Sequence, residues 1–202
     1  PLAHGLDAAG LYGTRVGLLA AEPHAFGAPP YIASLVIVGK QFAARLSDSA
    51  VLRKIYESVR PYGGSLWFAS PPDIAALPAR ARAAGLPGAM IQVAGSHLRI
   101  IREGPLPGAA DWTHQYGDAA NSLKSDDRLL RLPLGLLWFG GNSHMDVLPR
   151  HGHGPSEQVV GGRLFLEGMD GLSARDVYTG RRLWKTLVPG LDTRGIYHDD
   201  TY

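Results

Sequence analysis

Cysteine is absent from the 202 residues. That removes disulfide frameworks, thiolate zinc sites and cysteine nucleophiles, and it fits an oxidising or a reducing compartment equally. An excess of charge is lacking too. Twenty Lys and Arg stand against 18 Asp and Glu, a formal charge of +2, so nothing calls for nucleic acid or an anionic membrane as partner. No run nears the roughly 18 apolar residues that span a bilayer, and residues 1–8 lack the charged and apolar regions of a signal peptide. What is present is 45% hydrophobic content, enough to build a core in one ordinary domain or two small ones. The chain therefore reads as soluble and globular, with no compartment indicated. Beginning at Pro1 without Met and stopping at Tyr202 just after a turn-rich passage, it reads as a piece of a longer protein.

The order of elements changes near Gly104. Before it, strands alternate with helices. Residues 15–21 form a short apolar run entered from a turn and predict a strand preceded by a helix end. Residues 31–38 are nearly continuously apolar, the pattern of a central parallel strand covered on both faces. Ser47 or Asp48 is placed to cap a helix over 49–59, where Val51, Leu52, Ile55, Tyr56 and Val59 fall at helical spacing. The turn Arg60-Pro61-Tyr62-Gly63-Gly64 stops it, and 65–69 predicts a strand joined to the earlier one by a right-handed crossover. Asp73 opens a second helix over 74–84 ended by Gly85. Strands at 89–93 and 98–102, turned at Gly95-Ser96, close the sheet antiparallel.

This order, and above all the passage from Leu52 through Arg60-Pro61-Tyr62-Gly63-Gly64 to Trp67, resembles the later part of a class I S-adenosylmethionine-dependent methyltransferase. In that family a helix ending in a glycine-paired turn leads into the fifth strand, and a helix and a final hairpin follow. The resemblance implies a partial Rossmann-like α/β domain over 1–104. It also implies that the family's glycine-rich loop and the acidic residue that holds the ribose precede Pro1, so the fragment itself is not catalytically competent. Carried across, Glu22 stands where the family often has an acidic residue beside the adenine, and Ser34 replaces the usual Asp before the fourth strand. Glu22 reads first as a solvated residue capping a strand-to-loop turn, ahead of an adenine contact. Lys40, at the carboxyl end of the 31–38 run, reads as a surface lysine without a role. Gly63 and Gly64 follow a helix and precede a strand, the reverse of a phosphate-cradling loop, and are a turn.

Beyond Gly104, Pro105-Leu106-Pro107-Gly108 reads as a linker, and closely spaced strands are predicted at 134–139, 158–160, 163–167, 171–176 and 182–186. Two passages resemble pyrroloquinoline-quinone (PQQ)-type β-propeller repeats. One is the lead-in Asp111-Trp112 through Tyr116-Gly117-Asp118 to Asn121-Ser122. The other is the signature Ala174, Asp176, Thr179, Gly180 and Trp184, which matches Ala-x-Asp-x-x-Thr-Gly-x-x-x-Trp at every fixed position. The resemblance implies that 105–202 hold the lead-in and first blade of an incomplete propeller whose further blades follow Tyr202. In that blade Asp176 and Thr179 bond the turn backbone, Gly180 supplies a positive φ, and Trp184 fills the gap between blades. The motif staples blades and does not hold a quinone, so PQQ and calcium are not expected on this fragment.

One cluster remains. His144, Asp146, His151 and His153 crowd a Gly- and Pro-rich loop with Arg150. They offer imidazole and carboxylate ligands to a metal, though not at a recognised zinc spacing. The alternative is a loop folded over the propeller face, its side chains bonded to carbonyls and carboxylates. Three functions follow: a parent methyltransferase using S-adenosylmethionine and joined to a propeller, a non-catalytic platform for a small-molecule ligand or protein on a degenerate nucleotide-binding-like domain, or a quinoprotein oxidoreductase. No residue is placed by sequence as a general base or nucleophile.

Overall fold

The computed structural model describes residues 2–22, 25, 27–69, 71, 73–141, 146–147 and 156–190, with the side chain of Ser47 left aside. Helices and a mixed sheet make up its first part, and a four-stranded antiparallel sheet its second.

A short helix α1 (Leu2–Ala8) opens the chain. Residues 15–21, expected as a strand, join no sheet. Val16 makes a single bridge with Tyr12, and Leu18 and Leu19 are exposed. An apolar run becomes a strand only where a neighbour completes its ladder, and none does so here among the described residues. Strand β1 (Leu35–Val38) pairs in parallel with β2 (Gly64–Ala69), from Leu35 opposite Ser65 to Val38 opposite Phe68. It is an edge strand and not the central one its composition predicts, because only β2 pairs with it among the described residues, and Leu35 and Ile37 face solvent.

The crossover from β1 to β2 runs through α2 (Lys40–Ala43), a 3-10 turn (Ala44–Ser47) and α3 (Ser49–Glu57). Helix α3 starts at Asp48, whose carboxylate accepts the Ala50 N–H at 2.7 Å. Such a cap is worth about 1 kcal/mol. The apolar spacing then puts Leu52, Ile55 and Tyr56 into the core. Pro61 stops the helix, and Tyr62 and Gly63 turn the chain with φ of 57° and 99°. A Cβ on Gly64 would lie 2.3 Å from the Arg60 carbonyl oxygen, so only glycine permits so close a return.

Helix α4 spans Leu77–Ala83, starting later than the predicted 74–84 because residues 73–76 form a turn and Pro78 suits the first helical turn. Asp73 holds Arg80 across that turn at 2.8 Å. Strands β3 (Ala89–Ala94) and β4 (His97–Arg102) form a hairpin, and β4 inserts antiparallel beside β2, giving the order β1-β2-β4-β3. The molecule's main apolar core lies here, with Leu46, Leu52, Val59, Leu66, Phe68, Leu98 and Ile100 buried between the helices and the sheet.

The second sheet is a meander of β5 (Gln158–Val160), β6 (Arg163–Gly168), β7 (Gly171–Asp176) and β8 (Arg182–Leu187) in sequential order. These match four of the predicted strands. Residues 134–139, also predicted as a strand, join no sheet among the described residues, and Leu134, Leu136 and Phe139 are exposed. Trp112 makes a two-bond bridge to Val159, with both N–H···O distances at 2.9 Å. Apart from Leu166 and Ala174, the buried side chains of this sheet are polar or charged: Ser173, Arg175 and Asp176. Among the described residues, no helix is long and apolar enough to cross a membrane.

Candidate functional site

Two turns meet where the sheets touch. The turn after β7 is built by Asp176, whose Oδ1 accepts the Tyr178 and Thr179 N–H groups at 3.0 Å each. Thr179 Oγ1 takes the Arg181 N–H at 3.4 Å, and Gly180 has φ 67°. The other oxygen of Asp176 receives Arg60, from the turn that ends α3. The pair is enclosed, with Asp176 1% and Arg60 20% exposed, so each charge depends on the other for compensation.

Around this ion pair stand three tyrosines. Tyr31, held at φ 64°, meets Tyr178 edge to face at 5.5 Å between ring centres, and Tyr62 lies 6.5 Å from Tyr178 on another side. These rings line a cavity of about 520 Å³ together with Asp111, Asp127 and Leu106. Burial pushes the Tyr178 hydroxyl up to about 12, reinforced by Tyr62, Tyr31 and the carboxylates of Asp176 and Asp111. Burial and then Asp111 raise Tyr62 as well. Burial raises Asp127 too, but the Leu130, Leu129 and Ala110 N–H groups outweigh it and hold the carboxyl below its ordinary range. The cavity thus keeps neutral phenols beside carboxylates.

Glu22 and Ser34 are not brought together. The Glu22 carboxylate pairs with Arg45, in the 3-10 turn that follows β1. Ser34 is exposed at the other end of β1, where its carbonyl accepts the Ser65 N–H at 3.1 Å. Open α/β sheets take ligands at the carboxyl ends of their strands, so Ser34 is at the wrong end, and Glu22 already has a cation. Asp146 is largely buried and receives Lys185 at 3.0 Å, with Arg182 at 3.8 Å, while Lys185 also holds Asp170 at 3.0 Å. His144, His151 and His153 lie outside the described residues. Among the described residues no three His, Asp or Glu side chains gather as a metal-ligand set.

Trp184 is 41% exposed, with its ring 6.2 Å from Phe165. A different tryptophan occupies the signature turn. Trp138 donates its indole N–H to the Val177 carbonyl at 2.9 Å and lies so close over Gly180 that a Cβ there would fall 2.3 Å from the ring. In the lead-in, Asp118 accepts the Ala120 and Ser122 N–H groups and the Ser122 hydroxyl, at 2.9, 3.1 and 2.6 Å. The hydroxyl and N–H of Ser122 hold the Asp118 carboxyl below its ordinary range.

No family model, curated protein or solved structure matches the chain. Sequence reasoning missed Arg60, Tyr31, Tyr178 and Trp138 as parts of one region. Arg60 stands inside the quoted turn and Tyr178 inside the quoted signature, but nothing local shows that the two turns meet.

Proposed function

We propose that the chain is the join between a methyltransferase-like α/β domain and the first blade of a PQQ-like propeller, serving there as the seat that fixes the propeller to the enzyme domain. The observation that carries this reading is the strand order β1-β2-β4-β3, a parallel helix crossover followed by an inserted antiparallel hairpin. A four-stranded meander bearing the whole Ala-x-Asp-x-x-Thr-Gly-x-x-x-Trp signature supports the second part. In the parent, S-adenosylmethionine would supply an electrophilic methyl group that passes to a nucleophilic acceptor, leaving S-adenosylhomocysteine. Glu22 is paired with Arg45, and no step is assigned to it or to Ser34.

A second reading, a non-catalytic binding platform on a degenerate domain, draws on the Glu22–Arg45 pair and on Ser34 standing where the family has Asp. Isothermal titration of S-adenosylmethionine separates the two. The first predicts no measurable binding by this chain and saturable, equimolar binding by the full gene product. Absence of binding by a folded gene product would overturn it in favour of the platform.

A further inference from the structure

The geometry points to the cavity between the two turns as a binding site for an organic cation of the quaternary or methylated ammonium class, held by the faces of Tyr62 and Tyr178 with Asp111 as counter-charge. The reading needs neither a methyl donor nor further blades. A trimethylated ammonium group has no N–H to donate, so it is recognised by ring faces and by a nearby negative charge in place of hydrogen-bond acceptors. The cavity offers that combination. Among the described residues three tyrosines and several leucines line it, its ionisable side chains apart from the phenols are Asp111 and Asp127, and no Lys, Arg or His takes part in the lining. Its volume of about 520 Å³ suits a small molecule or the tip of a modified side chain.

The two carboxylates are not equivalent. Asp127 is spent on three backbone N–H groups. Among the described residues Asp111 meets a single donor, the Gly161 N–H, at 3.2 and 3.3 Å to its two oxygens, and so keeps acceptor capacity and charge for a ligand. Asp176 contributes less, being paired with Arg60. The rings' affinity for cations is already expressed next door, where the Arg102 guanidinium lies 4.2 Å from the Tyr56 ring centre and 5.5 Å from that of Tyr31. Because Arg102 engages Tyr31, the walls left for a ligand are chiefly Tyr62 and Tyr178.

The test is calorimetric titration of the chain with tetramethylammonium chloride and with choline at constant ionic strength, against 3,3-dimethylbutan-1-ol, the uncharged carbon counterpart of choline. Saturable binding of both cations, and binding of the alcohol at least ten-fold weaker, is expected. Tyr62→Leu and Asp111→Asn should each weaken it about ten-fold while thermal unfolding shows that the variants remain folded. No saturable binding, equal binding of the alcohol, or unchanged affinity in a folded Tyr62→Leu variant would each overturn the assignment. Failure of the gene product to bind S-adenosylmethionine would leave this result standing.

Discussion

Asp176 accepts from two N–H groups of its own turn and from Arg60, and through that pair the second sheet holds the first part of the chain. Removing one member of a buried ion pair strands the other charge, at a cost on the order of 3–5 kcal/mol. Tyr178, two residues further on, gives the same region a pH dependence. Its hydroxyl is pushed up to about 12 mainly by burial, whereas an unfolded tyrosine ionises near the ordinary 10.0. The folded state therefore holds a neutral phenol where the unfolded chain ionises. The associated stability is complete below pH 10 and is lost as pH rises through about 12. Thermal midpoints measured from pH 9 to 12 should fall less steeply in Tyr178→Phe than in the parent chain, and identical profiles would show that Tyr178 titrates normally.

Among the elements, the turn between β7 and β8 depends on a small residue for two reasons. Gly180 is at φ 67°, which L side chains adopt with strain, and Trp138 occupies the space a side chain would need. Gly180→Ala should displace the indole and break its bond to the Val177 carbonyl. The expected result is a red-shifted Trp138 emission, read against a Trp138→Phe control, and a loss of about 1–3 kcal/mol. Unchanged emission would contradict the packing. Helix α3, the β3–β4 hairpin and the β5–β8 meander were legible in the sequence because local signals decide them: a cap at Asp48, apolar residues at helical spacing, and glycines at the turns. Residues 15–21 and 134–139 were misread as strands because a strand requires a partner that composition does not reveal. The edge position of β1 was hidden for the same reason. At the candidate site, the Asp176 turn followed from its motif, whereas Tyr31, Tyr62 and Asp111 came together only through the contact of the two sheets.

For the whole molecule, the unequal cores are the controlling fact. The first sheet packs a continuous apolar core against α3 and α4. The second buries two apolar side chains, Leu166 and Ala174, beside charged ones. A sheet with so little apolar burial draws its stability from neighbours, and in this chain these include the Arg60 turn with its tyrosines, beside Trp112 and Trp138. Leu172, Leu183, Trp184 and Leu187 remain exposed on β7 and β8, consistent with the proposal that further blades complete the sheet's surroundings.

That dependence is open to direct test by urea unfolding followed through residue-resolved hydrogen exchange, with amides of β2 and β4 reporting the first sheet and amides of β6 and β7 the second. The account predicts one shared midpoint in the parent chain and, in Arg60→Met, two separate midpoints with β6 and β7 opening first. Separate midpoints already present in the parent chain, unmoved by Arg60→Met, would contradict the claim that the two turns lock the sheets into one body.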